Sequence, residues 1–204
     1  LPDCRLVSME CVMIHPARKI IYEEHAALAA MLRSLLLLLQ QCRRQHRSLD
    51  LLALRSVLFY IDEFPEKRHH PLESELLFPK IRSRAPQVRD ILDRLENDHA
   101  KSEHRIREVE HALLACEVMG ESRRSAFEDL AKSYVDGYLQ HMIIEERHIM
   151  PVADKVLTAE DWRELDEAFM VNKDPLTGHS PDEDYRELFT RIVNLVPAPV
   201  GLGA

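Results

Sequence analysis

Two eleven-residue strings in this chain lie over one another without a gap: HHPLESELLFP at His69–Pro79 and HMIIEERHIMP at His141–Pro151. The overlay sets His69 on His141, Glu73 on Glu145 and Pro79 on Pro151. Upstream, EEHAALAAML (Glu23–Leu32) and NDHAKSEHRI (Asn97–Ile106) set His25 on His99. The separations from His25 to His69 and from His99 to His141 are 44 and 42 residues. A histidine and a glutamate four residues apart share one face of an α-helix. The pattern predicts a helical hairpin used twice, with pseudo-twofold symmetry about a common interior.

The rest of the sequence is compatible with long helices, because glycine is absent before Gly120 and β-branched residues rarely cluster. Four long segments are predicted. The first runs from about Pro16, a residue suited to the first helical position, to about Arg47. The second runs from about Leu49 to Arg84, with Pro65 and Pro71 predicting kinks or a local bulge. The third starts near Pro86 and ends before Gly120, and the fourth opens at Glu121 or Ser122 and ends near Lys155. Short connections make sequential neighbours antiparallel. The expected fold is all-α, an antiparallel up-down-up-down four-helix bundle with a C-terminal helical extension. That extension begins with a short helix over Thr158–Phe169 and a loop, NKDPLTGHSPDED. Further helical turns in DYRELFTRIVNLV and a non-helical apolar tail, PAPVGLGA, complete it. The expected divisions are a disordered or artificially appended N-terminus at 1–13, the bundle at 14–157 and the appendage and tail at 158–204.

Charge narrows the partners. The 27 lysines and arginines against 35 acidic residues leave a net charge of −8. Binding to nucleic acid or to an anionic membrane needs positive surface, so neither is expected. The longest apolar stretch, Ala26–Leu39, is broken by Arg33 and Ser34 and falls short of the roughly 20 residues that span a bilayer. No secretory signal pattern is expected at the N-terminus. Cys4, Cys11, Cys42 and Cys116 form no CxxC pair, which suits reduced thiols and a cytoplasmic location.

Four helices packed 8 to 10 Å apart would bring His25, His69, His99 and His141 together with Glu73 and Glu145. Two buried carboxylates are strongly disfavoured without positive charge, and no lysine or arginine shares their faces in both repeats. A pair of divalent metals, bridged by the glutamates and capped by the imidazoles, meets both the charge and the spacing. Iron or manganese suits such donors, zinc less specifically. His46, His111 and His179 read as solvated surface residues, and the run Leu35–Leu39 as core or an interface stripe.

HHPLESELLFP, HMIIEERHIMP and EEHAALAAML resemble the hemerythrin-like, HHE cation-binding domain family over residues 14–157. The tail from Asp161 through DPLTG to RIVNLVPAPVGLG resembles the extension of a proteobacterial branch of it. The resemblance implies a four-helix bundle holding two iron ions in a non-haem, oxo- or hydroxo-bridged centre that meets dioxygen or a related small oxidant. Zinc or manganese is the alternative ion. The family's ligands fall on His25, on His69 and Glu73, on His99, and on His141 and Glu145. His70, three residues before Glu73, is a further position within reach of the same metal. Glu103 stands where oxygen-carrying members have a second helix-three histidine. Glu146 has the spacing of those carriers' bridging aspartate, but the repeat favours Glu145; His148, whose repeat partner is Leu76, is not expected to bind metal.

A carboxylate ligand at Glu103 would lower the metal's reduction potential. The function expected is therefore binding, sensing or responding to dioxygen, iron or small oxidants instead of bulk oxygen carriage, with no catalytic residues assigned. The alternatives are a di-iron enzyme acting on peroxide, oxygen or nitric oxide, and a metal-dependent regulatory or interaction module. The apolar strip Ile192, Val193, Leu195, Val196, Val200 and Leu202 is expected to cover the bundle end or to dock on a second subunit of a homodimer.

Overall fold

The computed structural model describes residues 15–171 and 174–177, together with Arg186 and Thr190. Pro16 occupies the first turn of α1 (Pro16–Arg44), where its missing N–H removes no helical bond. α2 spans 51–84 and opens on Asp50, whose carboxylate accepts the Ala53 N–H at 3.0 Å. Within α2, α-helical Leu51–Ile61, His70–Leu72 and Phe78–Arg84 alternate with π-helical Asp62–His69 and Glu73–Leu77. A 3-10 turn at Pro86–Val88 leads into α3 (Arg89–Met119). That helix stops at Gly120, whose φ of +78° is reached without a Cβ clash.

A second 3-10 turn, Gly120–Arg123, leads into α4, which spans 124–156 as α-helical Arg124–Ile144, π-helical Glu145–Ile149 and α-helical Met150–Val156. α5 (Ala159–Val171) is started by a reciprocal cap. Thr158 Oγ1 accepts the Asp161 N–H at 3.2 Å and Asp161 Oδ2 accepts the Thr158 N–H at 2.8 Å. The described residues contain no strand.

The π turns of the two repeats have one cause. Each begins at the repeated glutamate and ends just before a residue followed by proline: Phe78 before Pro79, Met150 before Pro151. Proline cannot donate to the carbonyl four residues back, and the preceding N–H reaches back five residues, from Phe78 to Glu73 O and from Met150 to Glu145 O. Pro71 is accommodated in the same way: the N–H of His70 before it bonds Pro65 O, five residues back, across a π turn (Asp62–His69) that α4 lacks. The kink or bulge expected from Pro65 and Pro71 is therefore present as a widened turn, Asp62–His69, that contains the first and ends just before the second.

α1 packs on α2, α4 and α5, and α3 packs on α2 and α4. The apolar core is split into two clusters. Leu28 to Leu39, Leu54 to Phe64, Ile106 to Cys116 and Phe127 to Met142 supply one. Ala17 and Ile21, Leu77 to Ile81, Leu92 and Leu95, Ile149 to Ala153, and Trp162, Leu165 and Phe169 supply the other. Each of the four long helices changes from one cluster to the other near its histidine, so a polar layer interrupts the core. Each fully buried Leu, Ile or Phe in these clusters contributes about 1.5–3 kcal/mol, which is what allows a layer of buried ionisable groups to be tolerated.

Among the described residues one helix, α1, is long and apolar enough to cross a membrane by length and composition alone, although the run Ala26–Leu39 falls short of a span, and half of its apolar window is buried inside the bundle. The expectations for residues 1–13, for DYRELFTRIVNLV apart from helical Arg186 and Thr190, and for the apolar tail lie outside the described residues.

Candidate metal centre

The polar layer brings six of the expected residues together. His25 on α1 and His69 on α2 meet with their Nε2 atoms 3.2 Å apart. His99 on α3 and His141 on α4 meet with theirs 2.9 Å apart. Glu73 and Glu145 lie between the pairs and are 1% and 2% exposed. Glu73 Oε1 is 3.1 Å from His69 Nε2 and 3.9 Å from His25 Nε2, while its Oε2 is 3.6 Å from His99 Nε2. Glu145 Oε2 is 3.4 Å from His25 Nε2, and its Oε1 is 3.3 Å from His141 Nε2 and 3.8 Å from His99 Nε2. Each carboxylate thus turns one oxygen toward each pair of imidazoles.

Glu73 Oε2 and both Glu145 oxygens are buried with no hydrogen-bond partner. Leaving three carboxylate oxygens so would be costly, because the group loses its hydration and gains nothing in return. Cations resolve this. Three overlapping groups of donors could each hold one: His25, His69 and Glu73; Glu73, His99, His141 and Glu145; and His70, His99 and His141. Donor type and the shared carboxylates fit a pair of ions of the iron, manganese or zinc class.

A row of groups the sequence reading did not foresee stands behind the imidazoles. His69 Nδ1 is 2.5 Å from Glu24 Oε2, His25 Nδ1 is 3.1 Å from Glu146 Oε1, and His99 Nδ1 is 2.7 Å from Ser74 Oγ. Asp98 Oδ2 stands 3.7 Å from His141 Nδ1, beyond hydrogen-bond reach, and that nitrogen, alone of the four, is buried without a hydrogen-bond partner. A partner at Nδ1 fixes the tautomer that directs the Nε2 lone pair into the layer. Glu146 therefore binds a histidine from behind.

The protonation pattern reflects the crowding of acids. Burial pulls the His69 and His141 pKa values down, but the carboxylates prevail: Glu73 and Glu24 push His69 well above its usual range, and Glu145 and Asp98 push His141 up to about 10. Burial and the other imidazoles hold His70 and His99 low. Burial opposes ionisation of Glu73, yet His69 beside it keeps its carboxyl below the usual range. Burial and the Glu73 charge raise Glu145.

His70 joins the layer with both nitrogens in use. Glu66 Oε2 accepts from Nδ1 at 3.1 Å, and Nε2 accepts from the Tyr138 hydroxyl at 2.9 Å. Glu66 is itself fixed by the Ser102 and Tyr134 hydroxyls. Its place four residues before His70 was the available sequence signal, hidden in the charged run EFPEKRHH.

Glu103 is not part of the site. Its side chain is 61% exposed and pairs with Arg107. The buried positions Leu92, Leu95, Ser102, Ile106, Val109, Leu113 and Cys116, with His99 among them, step by threes and fours along α3. Ser102 takes the inward position and Glu103 falls outside the stripe. The reduction-potential argument built on Glu103 falls with it. His148 is exposed, as expected of a residue that does not bind metal.

The sequence signature described as the hemerythrin HHE cation binding domain matches residues 17–153. No curated protein matches the chain.

Proposed function

The chain belongs to the hemerythrin HHE cation-binding family, and from that premise we propose that it binds a pair of iron ions and uses them to sense or respond to dioxygen or a related small oxidant. The observation that carries this reading is the set of buried carboxylate oxygens left without partners between four imidazoles. His25, His69, His99 and His141 would supply the terminal donors, and Glu73 and Glu145 would span the two ions. Bound there, iron would supply reversible one-electron chemistry and a binding position for the oxidant. The chain's own part is to orient the donors, to exclude bulk water with the two apolar clusters and to set the basicity of the imidazoles. Glu24 and Glu146, hydrogen-bonded to His69 and His25, make those histidines better donors and favour the more oxidised metal, which suits response to an oxidant over reversible carriage.

The reading includes the up-down-up-down order of the four long helices, favoured by their short connections, and a division into a bundle at 14–157 and an appendage after it. A cytoplasmic setting agrees with the free thiols of Cys42 and Cys116. Metal analysis and the ultraviolet-visible spectrum of protein expressed in iron-rich medium test it. Paired iron with bridged-centre absorption is expected in the parent and in Glu103→Gln, with most iron lost in Glu73→Gln and Glu145→Gln. Iron content indifferent to Glu73 and Glu145 would refute the assignment.

A further inference from the structure

The two halves of the centre are alike in donors and unlike in surroundings. On the His25/His69 side the ring of Phe169, itself fully buried, stands edge-on to His69 at 6.0 Å. On the His99/His141 side a cavity of about 20 Å³ lies against the imidazoles, with Tyr138, Gly137, Ser102 and Arg105 in its wall. That space admits a water-sized molecule at the imidazoles, and a linear ligand of two or three atoms would extend from it toward the mouth.

Gly137 and Tyr138 explain why the cavity exists. Gly137 lies in the interior of helical Arg124–Ile144, where glycine is unfavourable. No close packing requires it, since an added Cβ would meet nothing within 4 Å. The residue is exposed and sits one turn before His141, so a longer side chain there would lie over the approach to that imidazole. Tyr138 keeps the inner end free. Its hydroxyl occupies His70 Nε2 while Glu66 holds Nδ1, so the imidazole that could complete the His99/His141 group is withheld from it. At the mouth, half-exposed Arg105 stands 3.9 Å from Asp98 and offers positive charge on a chain of net charge −8.

We propose that a single ligand of two or three heavy atoms, neutral or anionic, reaches the metal pair between α3 and α4 past Gly137 and binds on the His99/His141 side, where Tyr138 keeps a coordination position open by restraining His70. The inference rests on the metal reading above and adds which ion is accessible, by what route and which residues keep it so.

Azide is the probe. Its association with iron-loaded, oxidised protein is followed by stopped-flow absorbance, with iron content measured on each sample. Gly137→Leu, which improves helix propensity, is expected to keep its iron and bind azide roughly tenfold more slowly. Gly137→Ala is expected to match the parent rate. Tyr138→Phe frees His70 Nε2 and is expected to keep its iron while azide affinity falls. Parent-like azide rates in fully iron-loaded Gly137→Leu would overturn the route, and parent-like affinity in Tyr138→Phe would overturn the restraint. A parent that takes up no iron would overturn the metal reading, and this inference with it.

Discussion

Glu24 touches none of the inward-facing nitrogens, yet it shapes the centre through His69. Its carboxylate accepts from His69 Nδ1 at 2.5 Å, which turns the ring so that Nε2 faces Glu73 and makes that nitrogen more electron-rich. Glu24→Gln preserves the shape and one acceptor but removes the charge. Metal affinity, measured by competition with a chelator, is therefore expected to fall roughly 10- to 100-fold, with occupancy restored at saturating metal. Unchanged affinity would mean that Glu24 only fills space. Residues of this kind were the least legible in the sequence. His25, His69, His99 and His141 stood out because a repeat aligned them, whereas Glu24 is one acid beside another in YEEHAAL and nothing in its spacing separates it from Glu23. Glu24 is buried and Glu23 exposed only because of where α1 turns its face.

At the scale of the element, the reading succeeded where periodicity reports on the whole helix and failed where one turn departs from it. The four long segments and the stop at Gly120 follow from composition and capping. The π turns were written in Pro79 and Pro151, whose alignment was plain, but their effect is to change the local pitch, which a 100° step per residue cannot represent. Glu146, which the repeat sets aside in favour of Glu145, lies in the second of these turns and reaches His25 Nδ1. Glu103 failed differently: a family pattern outweighed the three-and-four stripe of α3 that points to Ser102. Helical Arg124–Ile144 gives the prediction proper to this scale. Gly137 is exposed, mid-helix and uncrowded, so Gly137→Ala is expected to stabilise the protein by about 1 kcal/mol and to raise Tm by about 2–4 °C in a thermal melt. A lower Tm would mean that the backbone there needs glycine for a reason other than the access route.

Over the whole molecule, the polar layer is joined to the end of the described chain through Asp174 and Tyr60. The Tyr60 hydroxyl donates to Asp174 Oδ2 at 2.6 Å, and the Leu176 N–H donates to Oδ1 at 2.8 Å. Phe169 in α5 meets His69, so the segment after the bundle covers the centre as well as the helix ends. Its role in covering the centre was not legible, because it depends on which long-range partners Asp174 and Phe169 find. The same carboxyl makes stability depend on pH. Burial raises the Asp174 pKa to about 6, against the Tyr60 and Leu176 hydrogen bonds that favour its ionised form. The unfolded chain has the ordinary value of 3.8, so between those two values the folded state holds the proton more tightly. The stabilisation this group contributes is complete below the lower value and is lost as pH rises through about 6, amounting to roughly 2–3 kcal/mol. Asp174→Asn is neutral at every pH and keeps the shape, though it surrenders one acceptor. Its stability relative to the parent is therefore expected to be poorest at low pH and to improve as pH is raised through that window. Denaturant midpoints of both proteins across the window, at constant metal occupancy, give that difference directly. A difference independent of pH would show that Asp174 titrates alike in the folded and unfolded chains, and that hydrogen bonds alone fasten this segment to the bundle.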